Sequence, residues 1–112
     1  MQILYDEEGD VLDVKFRDSK QNAATAGYEL RQGVVIYVSA KMEPLQLTVV
    51  SYRRLIELPV IHFDRLEAQS EAIRKKLLPI IASPPVSAIL RLDPITNYGH
   101  MISPELLDVC VA

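Results

Sequence analysis

The sequence predicts an α+β fold, in which a four-stranded antiparallel β-meander is followed by an amphipathic helix, a fifth strand and a short C-terminal helix. Apolar and polar residues alternate in stretches of the first 51 residues, which is typical of strands with one buried face. After Ser51 the apolar residues recur with the period of a helix. Proline and glycine separate these segments.

The first element is a β-hairpin. Ile3 and Tyr5 precede an acidic turn, and Leu12 and Val14 alternate with polar residues after it. Because the four apolar side chains must share the buried face, Tyr5 pairs with Leu12 and Ile3 with Val14. This register requires a loop with an even number of residues, either 8–9 or 7–10.

Two further strands complete the meander, after an extended lead-in around residues 28–30. The β-branched run at 34–38 predicts a central strand that is covered on both faces. Residues 45–50 alternate again. The register that keeps apolar residues opposite one another pairs Ile36 with Leu47 and Val38 with Leu45.

The main helix follows Asp64. This aspartate resembles an N-cap, and Glu67 three residues later completes a capping box. The helix should run from about Arg65 to Leu78, and Pro79 should end or kink it. Its exposed face offers a favourable pair between Glu71 and Lys75.

Three shorter elements surround this helix. Residues 51–58 predict a helical turn that Pro59 ends, residues 86–92 predict the fifth strand, and Ser103-Pro104-Glu105 should open the short C-terminal helix. At 112 residues the chain suits a single domain. We expect 1–51 to form the meander and 52–112 to be a helix-containing extension packed on it.

The opening turn carries a family resemblance. The segment from Tyr5 to Phe16 resembles domain-of-unknown-function family 2283, a family of small bacterial proteins that typically open with a Tyr-Asp-x-Glu-x-Asp turn between two strands. The resemblance covers about residues 1–51, although Lys41 to Pro44 depart from the second turn usual in that family. It implies a compact β-meander and no assigned activity. Some members look like partners of small toxin-like proteins, which implies an antitoxin-like role as an alternative.

Composition narrows the class of protein. The formal net charge of −3 argues against nucleic acid as a partner, because nucleic-acid binding needs a basic face. The single cysteine, Cys110, excludes an internal disulfide and favours the reducing cytoplasm. No apolar run approaches the ~20 residues of a membrane span, so we expect no membrane association.

The acidic turn is the most charged candidate site. Asp6, Glu7, Glu8 and Asp10 could hold a divalent cation or contact a basic partner. The turn is too short to be a calcium loop by itself, and a solvated hairpin tip is the favoured interpretation. We therefore expect neither a metal nor a cofactor.

The remaining candidates are basic or aromatic. Arg53, Arg54 and the cluster at 74–76 could contact phosphate, but acidic residues are interleaved with them, which favours a solvated helix face. His100, His62 and Cys110 lack the paired spacing of a zinc site.

No residue set forms a catalytic motif, so the sequence favours a non-enzymatic protein-interaction module. We expect a homodimer, formed through a sheet edge or through leucine and isoleucine faces, and a protein partner. The second alternative is a small-ligand binder or enzyme with a pocket between sheet and helix. Its candidate residues are Tyr37, Arg91, Tyr98 and His100.

Overall fold

A computed structural model describes residues 1–17 and 26–102, together with the backbone of 109–111. The strands are β1 (Gln2–Asp6), β2 (Val11–Lys15), β3 (Ala26–Arg31), β4 (Val34–Val38), β5 (Pro44–Val50), β6 (Ile61–His62), β7 (Leu90–Leu92), β8 (Tyr98–Met101) and β9 (Val109–Val111). The helices are α1 (Tyr52–Glu57), α2 (Asp64–Glu67) and α3 (Glu71–Ile81), with a 3₁₀ turn at Val86–Ala88. The fold is therefore mixed, with an antiparallel sheet and a few short helices.

The opening hairpin has the predicted register. Tyr5 lies opposite Leu12 and Ile3 opposite Val14. Asp6 pairs with Val11, so the loop consists of residues 7–10, the longer of the two even-numbered possibilities. The buried faces of β1 and β2 fix this register because a shift by one residue would turn their apolar side chains towards solvent.

The larger sheet has the strand order β3-β4-β5-β2-β1-β9. Its first five strands are antiparallel, and β9 is parallel to β1. Strands β3, β4 and β5 form a meander, but β2 pairs with β5 and so lies apart from its successor in the chain. This placement sets Leu12 against Val49 and Val14 against Leu47, which extends the apolar face across the sheet.

The predicted register between β4 and β5 is right at Ile36, which pairs with Leu47, and wrong at Val38, which pairs with Pro44. A bulge between Tyr37 and Val38 causes the difference.

The predicted helix from Arg65 to Leu78 is two helices. Helix α2 ends at Glu67, and α3 begins after Ser70, whose hydroxyl accepts a hydrogen bond from the backbone N–H of Ile73 at 3.3 Å. Asp64 is the first residue of α2 and not its cap. Pro79 does not end α3, which continues for two more residues. The expected Glu71–Lys75 ion pair is present at 3.2 Å.

The predicted fifth strand is shorter than expected and belongs to a second sheet. Residues 86–88 form the 3₁₀ turn, and only 90–92 are extended. The second sheet has the order β6-β8-β7. The predicted helical turn at 51–58 is α1, and the predicted C-terminal helix from Ser103 lies outside the described residues.

Both sheets and the helices contribute to one hydrophobic core. Its largest fully buried side chains are Ile3, Leu12, Leu30, Ile36, Leu47, Ile61, Phe63, Leu66, Leu77, Ile81, Ile89 and Leu90. Helix α2 contacts the edge strand β3, where Arg65 is 3.2 Å from Glu29, whereas α1 and α3 contact strands of the small sheet. At the other end of the antiparallel strands, β9 pairs with β1.

Candidate functional site

The acidic turn between β1 and β2 uses its carboxylates in two ways. Asp6 stabilises the turn, since its Oδ1 accepts hydrogen bonds from the backbone N–H of Glu8 at 3.1 Å and of Gly9 at 3.3 Å. Glu7 and Glu8 are exposed, and neither forms an ion pair with another described residue. Within the described residues, no group of histidine, cysteine and acidic side chains could hold a metal ion.

Asp10 supplies the cap of α1. The residue before this helix, Ser51, has a left-handed backbone with φ 57° and offers no side-chain cap. The carbonyl oxygen of Asp10 accepts from the N–H of Tyr52 at 3.2 Å. Its carboxylate oxygens accept from the N–H of Arg53 at 3.0 and 3.3 Å. These bonds satisfy two of the amide groups that a helix start leaves unpaired, so the hairpin turn holds the beginning of α1.

The Asp10 carboxylate also accepts a 2.6 Å hydrogen bond from the hydroxyl of Tyr5. This bond, followed by the N–H and the charge of Arg53, holds the pKa of Asp10 below its usual value against the opposing effect of partial burial. The same bond raises the pKa of Tyr5. The guanidinium carbon of Arg53 lies 5.6 Å from the centre of the Tyr5 ring, a cation–π contact. Asp10 and Arg53 are thus engaged within the protein.

An open cleft of about 270 Å³ lies beside α1. The turn between β3 and β4, the end of β5 and the first turns of α1 form its walls. It is lined by Arg31, Gln32, Gly33, Val50, Ser51, Arg54 and Leu55. No acidic residue lines it, so the cleft is formally positive in a protein whose net charge is −3.

The Gln32–Gly33 turn brings Arg31 to this cleft. Gly33 has a φ of +86°, a conformation that side chains rarely adopt, and a Cβ atom there would lie 3.2 Å from the Cβ of Val50. Its carbonyl oxygen accepts from the N–H of Val50 at 2.7 Å, which joins the turn to the end of β5. Helix α1 starts two residues after Val50 and brings Arg54 to the same cleft.

Neither cleft arginine has a carboxylate partner among the described residues, whereas Arg17 pairs with Glu43 and Arg65 with Glu29. The Nε atom of the half-buried Arg31 is shielded from solvent and makes no hydrogen bond within the described part of the chain. Buried donors are rarely left unsatisfied in proteins, so this atom needs an explanation. Two unpaired guanidinium groups in one cleft are suited to a carboxylate or a phosphate, which they can bind with paired hydrogen bonds.

His100 lies elsewhere, on the outward face of the small sheet. It pairs with Arg91, and Tyr98 follows on the same face, where its ring stacks on that of His62 with centres 4.4 Å apart. Three of the four residues expected around a sheet–helix pocket therefore share a surface, but the fourth, Tyr37, lies on the large sheet.

The remaining basic and soft residues do not join the cleft. The cluster at 74–76 lies on α3, where Lys75 pairs with Glu71, and none of its residues lines the cleft. His62 binds Glu67 at 2.9 Å. The backbone of Cys110 lies opposite Leu4.

Of the candidate residues drawn from the sequence, only Arg54 lines the cleft. Asp10 and Arg53 lie at the start of the same helix, while Asp6, Glu7 and Glu8 belong to the neighbouring turn. Sequence reasoning missed Arg31, although Gly33 after it marks a tight turn that could have suggested its position at the end of the sheet.

Comparison of the chain with protein-family models, with curated proteins and with solved structures gave no match. The resemblance to domain-of-unknown-function family 2283 thus stays a prediction. None of the helices in the described part of the chain is long and apolar enough to cross a membrane.

Proposed function

We propose that this is a non-enzymatic, cytoplasmic protein-interaction module that binds an acidic group of a protein partner in the cleft between Arg31 and Arg54. The observation that carries the proposal is a pair of arginines that line a single cleft and have no carboxylate partner among the described residues. A carboxylate placed between them gains charge-assisted hydrogen bonds from both sides. It also offers an acceptor to the shielded Nε atom of Arg31.

The walls of the cleft favour a partner side chain over a solvated ion. Val50, which is 43% exposed, and the buried Leu55 both contribute apolar atoms to the lining of the cleft. An acidic side chain carries methylene groups that can cover this apolar surface while its carboxylate reaches the arginines.

A titration tests the proposal. The probe is a short blocked peptide with two adjacent glutamates, and the reference is the same peptide with glutamines. We expect the acidic peptide to shift the backbone amide resonances of residues 31–33 and 50–55 in NMR spectra. Arg31→Gln and Arg54→Gln should each weaken binding about tenfold, the equivalent of about 1.4 kcal/mol. Arg53→Gln is the matched control because Arg53 is adjacent in sequence but does not line the cleft.

Two results contradict the proposal. Equal shifts with the glutamine peptide would show that the arginines do not recognise a carboxylate. Binding of inorganic phosphate without binding of the acidic peptide would instead support the alternative of a small-ligand binder, whose pocket between sheet and helix this cleft would be.

A further inference from the structure

The acidic turn and the arginine cleft lie at the same end of the large sheet. The turn joins Asp6 to Val11, and Val11 pairs with Val50, which lines the cleft. The two features are therefore neighbours of opposite charge, separated by the end of β5. Nevertheless, no ion pair within the described residues joins them.

The internal contacts of the turn explain why the two features do not neutralise each other. Asp6 is bonded to the backbone of its own turn, and Asp10 is bonded to Tyr5 and to α1. The hairpin tip is thus held in place, and its two outward side chains, Glu7 and Glu8, extend into solvent. The tip presents a fixed pair of free carboxylates beside a cleft that lacks them.

We infer that a second copy of this chain supplies the acidic group, so that Glu7 and Glu8 of each copy occupy the Arg31–Arg54 cleft of the other. This inference rests on the proposed function, since it names the source of the carboxylate that the cleft binds. A two-fold axis repeats every contact, and because tip and cleft lie at one end of the molecule, a single axis brings both contacts together. Val50, the exposed apolar residue between them, then becomes buried near the axis.

The ends of the antiparallel strands also have neighbours. Strand β9 pairs with β1, and α2 contacts β3. The dimer also has a functional consequence, because it occupies the cleft. An acidic partner must compete with the tip of the second copy, so self-association limits access to the site.

Substitutions that reverse the charges of the hairpin tip and of the cleft test the inference. The mass of the full chain is measured by sedimentation equilibrium over a wide concentration range at low and high salt. We expect a dimer that weakens as salt rises, because exposed charge pairs are screened. Two double variants reverse the charges. The tip variant carries Glu7→Lys and Glu8→Lys, and the cleft variant carries Arg31→Glu and Arg54→Glu. Each should raise the dissociation constant of the dimer at least about tenfold.

A mixture of the tip variant and the cleft variant gives the decisive result. In the mixed dimer, both contacts again join opposite charges, so an equimolar mixture should recover the dimer that neither variant forms alone. The control is Lys76→Glu, an exposed residue of α3 with no ion pair among the described residues, which should leave the dissociation constant unchanged. If the half-buried Arg31 does not tolerate glutamate, Arg54→Glu alone serves as the cleft variant.

The outcomes separate this inference from the proposed function. A monomeric wild-type protein, a dimer unaffected by either variant, or a mixture that does not recover the dimer overturns the inference. If the wild type is monomeric but the glutamate peptide still binds the cleft, only the source of the carboxylate is wrong. If the peptide also fails to bind, both proposals fail. Where both hold, adding the peptide should dissociate the wild-type dimer.

Discussion

Replacing Asp10 tests whether the hairpin turn caps α1. Asp10→Ala removes the acceptor for the N–H of Arg53, and loss of a helix cap costs about 1 kcal/mol. The substitution also places alanine at a φ of 53°, where the left-handed backbone costs roughly another 1 kcal/mol. Because water reaches this half-buried carboxylate, the value for a surface cap applies rather than that for a buried charge.

We therefore expect Asp10→Ala to lower the free energy of unfolding at neutral pH by about 2 kcal/mol, or the melting temperature by about 8 °C. Asp10→Asn should cost about half as much, since asparagine tolerates the left-handed backbone and keeps one oxygen acceptor. Urea denaturation followed by circular dichroism measures both. The control is Glu7→Ala in the same turn, which should stay within about 0.5 kcal/mol because its side chain is exposed.

The pH dependence gives a second test of the same cap. The pKa of Asp10 is lower in the folded protein than in the unfolded chain, so its contribution is present above the unfolded value of about 4. The contribution is lost as the pH falls through the lower folded pKa. The difference in stability between wild type and Asp10→Asn should thus narrow in acid. A difference that is as large at pH 2 as at pH 7, or a cost of Asp10→Ala below about 0.5 kcal/mol, would refute the reasoning.

Three further substitutions test local features of the fold. Tyr5→Phe should remove from an ultraviolet pH titration one tyrosine that ionises above its ordinary pH range, because the hydrogen bond to Asp10 raises the pKa of Tyr5; an unchanged high-pH part of the curve contradicts this. Gly99→Ala should destabilise the protein by more than about 3 kcal/mol in thermal unfolding, since its Cβ would lie 2.0 Å from a carbonyl oxygen of β7. The comparison is Gly27→Ala, whose Cβ would lie near side-chain atoms of Tyr37 and Val35 rather than against backbone, and which should cost less. Ser70→Ala should cost about 1 kcal/mol of stability through loss of the α3 cap, and no change in urea denaturation would exclude that cap.

The hairpin could be predicted from the sequence because two independent constraints agree. Alternation sets which side chains of β1 and β2 face the core, and the turn length must be compatible with that choice. The register of Tyr5 with Leu12 follows from them, and the structure confirms it. The error at Val38 arises where the alternation is interrupted by a bulge, which leaves no periodic signal.

The break between α2 and α3 could not be recognised from periodicity. Leu66, Ile73 and Leu77 fit one continuous helix, and only the serine at position 70 signals a new start. The second sheet gave an equally weak signal, because β6 has two residues and β7 three, too few to establish a period of two. The pairing of β2 with β5 was not predicted, because strand order depends on contacts that are distant in sequence.

The cleft, too, was only partly predictable, because local sequence patterns indicate one of its arginines and the other depends on contacts that are distant in sequence. Arg54 could be named from the sequence because it belongs to a visible basic pair, whereas Arg31 is an isolated arginine before a turn. The two meet only because the β3–β4 turn bonds to the end of β5, where α1 begins. A pairing of this kind requires the register of three strands to be known.

The four acidic residues of the turn between β1 and β2 fall into two kinds, which their sequence alone does not distinguish. Asp6 and Asp10 form hydrogen bonds within the protein, whereas Glu7 and Glu8 have no ion-pair partner among the described residues. The two bonded aspartates favour binding by the two glutamates, because a tip whose backbone is held loses less entropy when its side chains bind. Asp10 acts on both sides of the proposed interaction, since it fixes the tip and also caps the helix that carries Arg54. In the proposed dimer, the turn therefore acts as a scaffold that holds the acidic tip and the arginine cleft at a fixed spacing.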